Sequence, residues 1–110
     1  MGYPYLLVEF RVPLNTTDIN RCTTYVDQFY RESDLRVDIF DSIRATMNVS
    51  KTYEHLAWRL STARRTDPPH RLLTWQDVDS AFKAARMEQS SGQKKKKVAI
   101  EVVNTVRILI

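Results

Sequence analysis

The stretch HRLLTWQDVDSAFKAARMEQSSGQKKKKVAIEVV, residues 70–103, carries the signals of a helix followed by a strand. Thr74 and Asp77 have the spacing of a capping box at a helix N-terminus, with Asp in place of the usual Glu. Beyond this cap, four apolar residues share one predicted helix face: Trp75, Val78, Phe82 and Ala85. SSGQ ends the helix, and KKKKVAIEVV then predicts a last strand with apolar residues at period two: Val98, Ile100 and Val102.

The N-terminal part of the chain predicts a β-hairpin. In YLLVEFRVPL, residues 5–14, every second side chain is apolar, which is typical of a half-buried strand: Leu6, Val8, Phe10 and Val12. Pro13 and the polar segment NTTDIN predict a turn. RCTTYVDQFYR, residues 21–31, then returns with the β-branched and aromatic residues that favour a second strand.

The middle of the chain predicts an amphipathic helix. In SDLRVDIFDSIRATMNVS, residues 33–50, apolar residues recur on one helix face: Leu35, Ile39, Phe40, Ile43 and Met47. Ser33 or Asp34 stands where a side chain can accept hydrogen bonds from the first turn, so either residue is a candidate N-cap.

A third strand and a long loop follow this helix. YEHLAWRLS, residues 53–61, alternates in a way that predicts a strand with three buried residues: Leu56, Trp58 and Leu60. STARRTDPPHR, residues 61–71, is predicted to be a loop because Pro68–Pro69 fits neither a helix nor a central strand.

The predicted elements give an α+β fold in the order β-β-α-β-α-β. A chain of 110 residues is long enough for one modest core and short for two, so we expect a single domain over residues 1–110. That core is predicted to contain ten residues: Leu6, Val8, Phe10, Ile39, Ile43, Leu56, Trp58, Phe82, Ile100 and Val102.

This order of elements resembles the β-grasp, or ubiquitin-like, family. NVSKTYEHLAWRL is similar to the helix-to-strand passage of ubiquitin-like domains, and LLTWQDVDSAFKAA is similar to the entry to the last helix of PB1 interaction modules. The resemblance implies a mixed sheet whose first and last strands lie side by side and parallel in the centre. It also implies a non-enzymatic protein-interaction module without a cofactor.

Two departures narrow the resemblance. A conjugated modifier needs a Gly-Gly tail, but the chain has two glycines, Gly2 and Gly92, and ends in RILI. An acidic PB1 domain carries Asp and Glu residues between the third strand and the last helix, where this chain has the basic STARRTDPPHR. A basic PB1-like module or a Ras-association-like module therefore remains. In the Ras-association case, basic residues beside the second strand meet an acidic GTPase, and the matching candidates are Arg11, Arg21 and Arg31.

The charge of the chain indicates an acidic partner. The net charge is +4 at pH 7, and two basic segments supply candidate binding residues. These residues are Arg64, Arg65, Arg71, Lys94, Lys95, Lys96 and Lys97. The lysine run has three interpretations: a solvated rim of the sheet, a contact for an acidic protein, or a contact for nucleic acid, which is the alternative function. Lys96 and Lys97 are expected to pair in the last strand.

The remaining signals argue against an enzyme, a metal site and a membrane protein. Cys22 is the only cysteine, and His55 and His70 lie on other elements, so no metal-ligand or nucleophile–base spacing is present. A single cysteine and the lack of a signal peptide favour an intracellular location, cytoplasmic or nuclear. The apolar segment Val106–Ile110 is expected to dock on the domain, to mediate self-association, or to continue into a longer protein.

Overall fold

The computed structural model describes residues 7–14, 24–64, 66–90 and 97–106, and these residues form two helices and one sheet. The elements in chain order are β1 (Leu7–Pro13), β2 (Tyr25–Arg31), α1 (Arg36–Met47), β3 (Leu56–Leu60), β4 (His70–Arg71), α2 (Trp75–Gln89) and β5 (Ile100–Asn104). The fold is therefore α+β. The predicted residue Leu6, the turn after β1 and the tail after Val106 lie outside the described residues.

The five strands form a mixed sheet in the order β2-β1-β5-β3-β4. β1 and β2 are antiparallel over their whole length, and β5 is antiparallel to β3. The central pair, β1 and β5, is parallel, with Phe10 opposite Ile100. The first and last strands are thus neighbours in the centre of the sheet, which is the arrangement that the resemblance implies.

The core lies between one face of the sheet and the two helices. Period two in β1 directs Phe10 and Val12 into it, and both are fully buried. The Phe10 ring meets Tyr30 of β2 at 5.1 Å and Phe82 of α2 at 5.4 Å between ring centroids, which joins the hairpin to the second helix. Every predicted core residue within the described part of the chain is buried in this cluster, so that prediction is confirmed for all but Leu6.

The predicted order of elements lacked one strand. His70 and Arg71, predicted as loop, form β4 and pair with Trp58 and Ala57 of β3. Leu72 follows, is fully buried, and its N–H donates to the Leu56 carbonyl at 3.0 Å. The sequence did not reveal β4, because two residues are too few to show an alternating pattern. The prolines before β4 are compatible with a strand here, because β4 lies at the edge of the sheet.

The predicted N-cap of α1 was wrong. The N-cap is Leu35, which has no side-chain cap hydrogen bond and is 66% exposed rather than buried. Asp34 is occupied elsewhere, because its Oδ2 accepts the Arg31 N–H at 2.8 Å and its own N–H donates to the Arg31 carbonyl at 3.0 Å. The residues before α1 therefore close a turn after β2 instead of capping the helix.

Trp75 was predicted to share the apolar face of α2 with Val78, Phe82 and Ala85, but its side chain is 59% exposed. α2 packs through a stripe of four buried residues: Val78, Ala81, Phe82 and Ala85. At 3.6 residues per turn the centre of this stripe lies roughly 70° around the helix from Trp75. Trp75, the first helical residue, thus lies at the margin of the buried stripe. The predicted capping box at Thr74 and Asp77 is present and confirmed.

Candidate interaction surface

The loop after β3 lies beside the start of β5. The Ser61 N–H donates to the Ala99 carbonyl at 2.8 Å, and the Ala99 N–H donates to Ser61 Oγ at 3.0 Å. The Val98 N–H donates to Gln89 Oε1 at 2.7 Å, which fixes the same segment to the end of α2. These bonds join the loop at Ser61 to residues 97–99, two parts of the chain that are far apart in sequence.

Arg64 and Lys97 are the described basic residues of these two stretches, and we call them the basic end. Arg64 follows Ser61 by three residues, Lys97 precedes Ala99 by two, and both are exposed. The Lys97 ammonium lies 5.4 Å from the centroid of the Phe29 ring. Lys97 precedes β5 and does not pair in the sheet, which corrects that expectation. The other four candidates of this group lie outside the described residues: Arg65, Lys94, Lys95 and Lys96.

Arg71 lies apart from the basic end. It pairs with Ala57, three residues before the end of β3, which corresponds to about 10 Å along a strand. Its Nε donates to Asp77 Oδ2 at 3.3 Å, so the guanidinium is attached to the start of α2. Arg64 and Lys97 each lie within three residues of the bonds between Ser61 and Ala99, whereas Arg71 is held at the start of α2.

The Asp77 carboxylate joins β4 to the N-terminus of α2. Its Oδ2 accepts the N–H groups of Leu73 at 2.8 Å and Thr74 at 2.9 Å in addition to Arg71. Burial favours the neutral form of this group, but the hydrogen bonds to Thr74 and Leu73 and the Arg71 charge outweigh burial and hold the pKa of Asp77 below its ordinary value. Asp77 therefore has a structural role.

A cleft of about 270 Å³ opens beside the loop that follows β3. The sequence did not predict it, because its walls come from β3, the loop after β3, β4 and α2. They are Trp58, Arg59, Leu60, Thr62, Ala63, Asp67, Pro68, His70, Ala84 and Glu88. The Trp58 and His70 rings meet at 4.6 Å between centroids, and the wall carries both acidic and basic side chains. The cleft wall includes Ala63, which precedes Arg64 in sequence, and is not uniformly basic.

The alternative arginine set is divided by the fold. Arg11 lies on the sheet face opposite the core, where it contacts Glu9 at 3.2 Å and Glu101 at 3.4 Å. Arg31 is at the far end of β2 and pairs with Leu7, four residues from Arg11 along β1. Arg21 lies outside the described residues. The described pair therefore does not form one basic cluster, and Arg11 is already paired with carboxylates.

The described part of the chain holds no group of three or more residues suited to a metal ion. The His55 ring contacts Tyr53, the His70 ring contacts Trp58, and Cys22 is outside the described residues. Neither helix among the described residues has the length and apolar character to cross a bilayer. Val106 is 42% exposed, and the rest of the predicted self-association segment is not described.

Comparison of the chain with family models, with curated proteins and with solved structures gave no match.

Proposed function

We propose that this chain is a β-grasp domain of the ubiquitin-like type that serves as a non-enzymatic protein-interaction module. The hairpin comes first, α1 follows it, and α2 precedes the last strand. The parallel central pair of β1 and β5 is the arrangement that the resemblance implies. The fold assignment rests on these features, and the role as an interaction module rests on the basic end.

The observation that carries the proposed role is the pair of hydrogen bonds between Ser61 and Ala99. They join the loop that contains Arg64 to the segment that contains Lys97. Neither Arg64 nor Lys97 forms a salt bridge with a carboxylate of the described residues. Two exposed cations without a described carboxylate partner, in a domain with net charge +4, favour an acidic protein surface as the partner.

The test is a charge reversal at the basic end with a matched control. The double variant Arg64→Glu/Lys97→Glu is compared with Lys51→Glu/Lys83→Glu, which makes the same change in net charge at exposed positions elsewhere. In pull-downs from a lysate of the source cells, a specific acidic partner is retained by the wild type and by the control and is lost from the basic-end variant. Circular dichroism and melting temperature are expected to change little, because exposed charges contribute little to stability.

Retention of the same partner by the basic-end variant would contradict the proposal. The nucleic-acid alternative gives a different result: binding of labelled oligonucleotides of unrelated sequence, with an affinity that falls steeply as salt is raised. A protein interface is expected to show a weaker dependence on salt and a preference for one partner. Sizing of the purified domain separates self-association from binding of another protein.

A further inference from the structure

β2 forms an edge of the sheet with a defined set of outward-facing backbone groups. In an antiparallel pair, successive residues point their N–H and C=O alternately toward the partner strand and away from it. The Leu14 N–H donates to the Thr24 carbonyl at 2.8 Å, which sets the phase of the β1–β2 ladder. Residues 26, 28 and 30 therefore bond to β1, and residues 25, 27, 29 and 31 face outward.

Two other observations agree with this phase. Pro13 has no N–H and stands opposite Tyr25, at a position where this phase requires no N–H donor from β1 to β2. At the other end, both backbone groups of Arg31 bond to Asp34, its N–H to the carboxylate and its carbonyl to the Asp34 N–H. The turn at Asp34 thus occupies both outward backbone groups of Arg31. The outward groups of three other residues remain, and we call these residues the open edge: Tyr25, Asp27 and Phe29.

The open edge is unpaired within the described part of the chain. β2 pairs with β1, and no described residue accepts from or donates to the outward groups of the three residues. Each residue offers one donor and one acceptor, so an added antiparallel strand would gain main-chain bonds at every position. An unprotected edge of this kind is a template for another extended chain.

The side chains of the open edge define what that chain must carry. They project from the sheet face opposite the core, in the order aromatic, carboxylate, aromatic, and Tyr25 and Phe29 are 46% and 48% exposed. The Asp27 carboxylate is exposed and forms no ion pair or side-chain hydrogen bond with a described residue. A positive side chain directly opposite Asp27 is therefore favoured, with apolar neighbours opposite the two rings.

The same geometry disfavours a symmetric pairing of two copies. Two open edges paired at all three positions would place Asp27 opposite Asp27, and like charges directly opposite each other destabilise a strand pair. This geometry favours a segment of a different protein as the occupant.

We infer that the open edge binds an extended segment of another protein as an added antiparallel strand. The segment carries Lys or Arg opposite Asp27 and apolar residues two positions to either side. The open edge adjoins the basic end, because the Lys97 ammonium lies 5.4 Å from the Phe29 ring centroid. The inference rests on the outward backbone groups of β2 and the Asp27 carboxylate, and it does not depend on the proposed function.

The test uses two synthetic peptides and fluorescence anisotropy. The first is Thr-Thr-Val-Thr-Lys-Thr-Val-Thr-Thr, and the second has Glu in place of Lys. We expect the wild type to bind the lysine peptide at least about threefold more tightly than the glutamate peptide. Asp27→Lys is expected to reverse this preference, whereas Asp38→Lys, the same charge change at an exposed position of α1, is expected to retain it.

A backbone test accompanies the charge test. Asp27→Pro removes an outward N–H that makes no bond to β1, a position where an edge strand accepts proline, and it is expected to weaken binding of the lysine peptide by roughly three- to tenfold. In the wild type, saturating peptide is expected to slow amide hydrogen exchange at Tyr25, Asp27 and Phe29 and to leave Gln28 and Tyr30 unchanged. The exchange result decides the matter if the proline variant does not fold.

Three results would overturn the inference. They are no binding of the lysine peptide at millimolar concentration, an unchanged preference in Asp27→Lys, and exchange that slows elsewhere but not at the open edge.

Discussion

At the scale of single residues, burial in this domain depends on where a side chain lies along its element as well as on its apolar character. Phe82 and Trp75 are both aromatic residues of α2, yet Phe82 is fully buried and Trp75 is 59% exposed. Phe82 packs edge-on against Phe10, and the Arg36 guanidinium lies 5.1 Å from its ring centroid. Phe82 thus connects the sheet, α1 and α2, whereas Trp75 lies outside the core.

We therefore expect the substitutions Phe82→Ala and Trp75→Ala to differ widely in effect. Phe82→Ala leaves a cavity in the core and is expected to lower the free energy of unfolding by roughly 3–5 kcal/mol. Trp75→Ala is expected to change it by less than about 0.5 kcal/mol, because an exposed side chain loses few contacts. Urea denaturation of the two variants measures both values, and similar losses would contradict the packing of α2.

At the scale of elements, the start of α2 is specified by local sequence and the start of α1 is not. Thr74 accepts the Asp77 N–H at 3.3 Å, and the Asp77 carboxylate accepts the Thr74 N–H in return. No comparable bond is present at Leu35, where α1 begins. A capping box needs two residues at fixed spacing and is readable from sequence, whereas Asp34 serves the preceding strand.

The lowered pKa of Asp77 makes this cap sensitive to acid. Because the pKa in the folded state lies below the ordinary value of 3.8, the ionised carboxylate stabilises the fold above that value, and the contribution is lost as the pH falls through the folded-state pKa. We expect Asp77→Asn to lower the free energy of unfolding at pH 7. The difference from the wild type is expected to shrink below about pH 4.

Urea denaturation at a series of pH values between neutral and acidic measures this dependence. Asp38→Asn, at an exposed position in the first turn of α1, is the control for loss of a carboxylate from a helix start. A difference between wild type and Asp77→Asn that stays constant with pH would contradict the assignment of the stabilisation to the ionised group.

At the scale of the whole molecule, the bonds between Ser61 and Ala99 connect parts of the chain 38 residues apart. They form because β3 and β5 are antiparallel, with Leu60 opposite Ile100. The position of the basic end thus follows from strand pairing, and it is maintained by one backbone bond and one side-chain bond.

Removal of the Ser61 hydroxyl tests this connection. Ser61→Ala leaves the Ala99 N–H without its acceptor and is expected to lower the free energy of unfolding by about 1 kcal/mol. The amide of Ala99 is also expected to exchange faster. Ser50→Ala, whose hydroxyl pairs with Thr52 on the surface, is the control and is expected to have little effect. Equal protection of Ala99 in both variants would show that the backbone bond suffices.

Sequence alone determined the elements whose signals are local and repeated. Period two in β1, the capping box of α2 and helical spacing in α1 each reflect burial of one face, and that physical requirement acts on successive residues. The nine predicted core residues that the structure describes are therefore all buried, whereas Leu35 and Trp75, predicted on the same apolar faces, are exposed. Only tertiary structure decided the features that depend on contacts between distant segments: the two-residue β4, the exposure of Trp75, and the separation of Arg71 from Arg64 and Lys97. The same is true of the open edge, because which backbone groups of a strand face outward is set by the register of its partner, and register is a property of two segments.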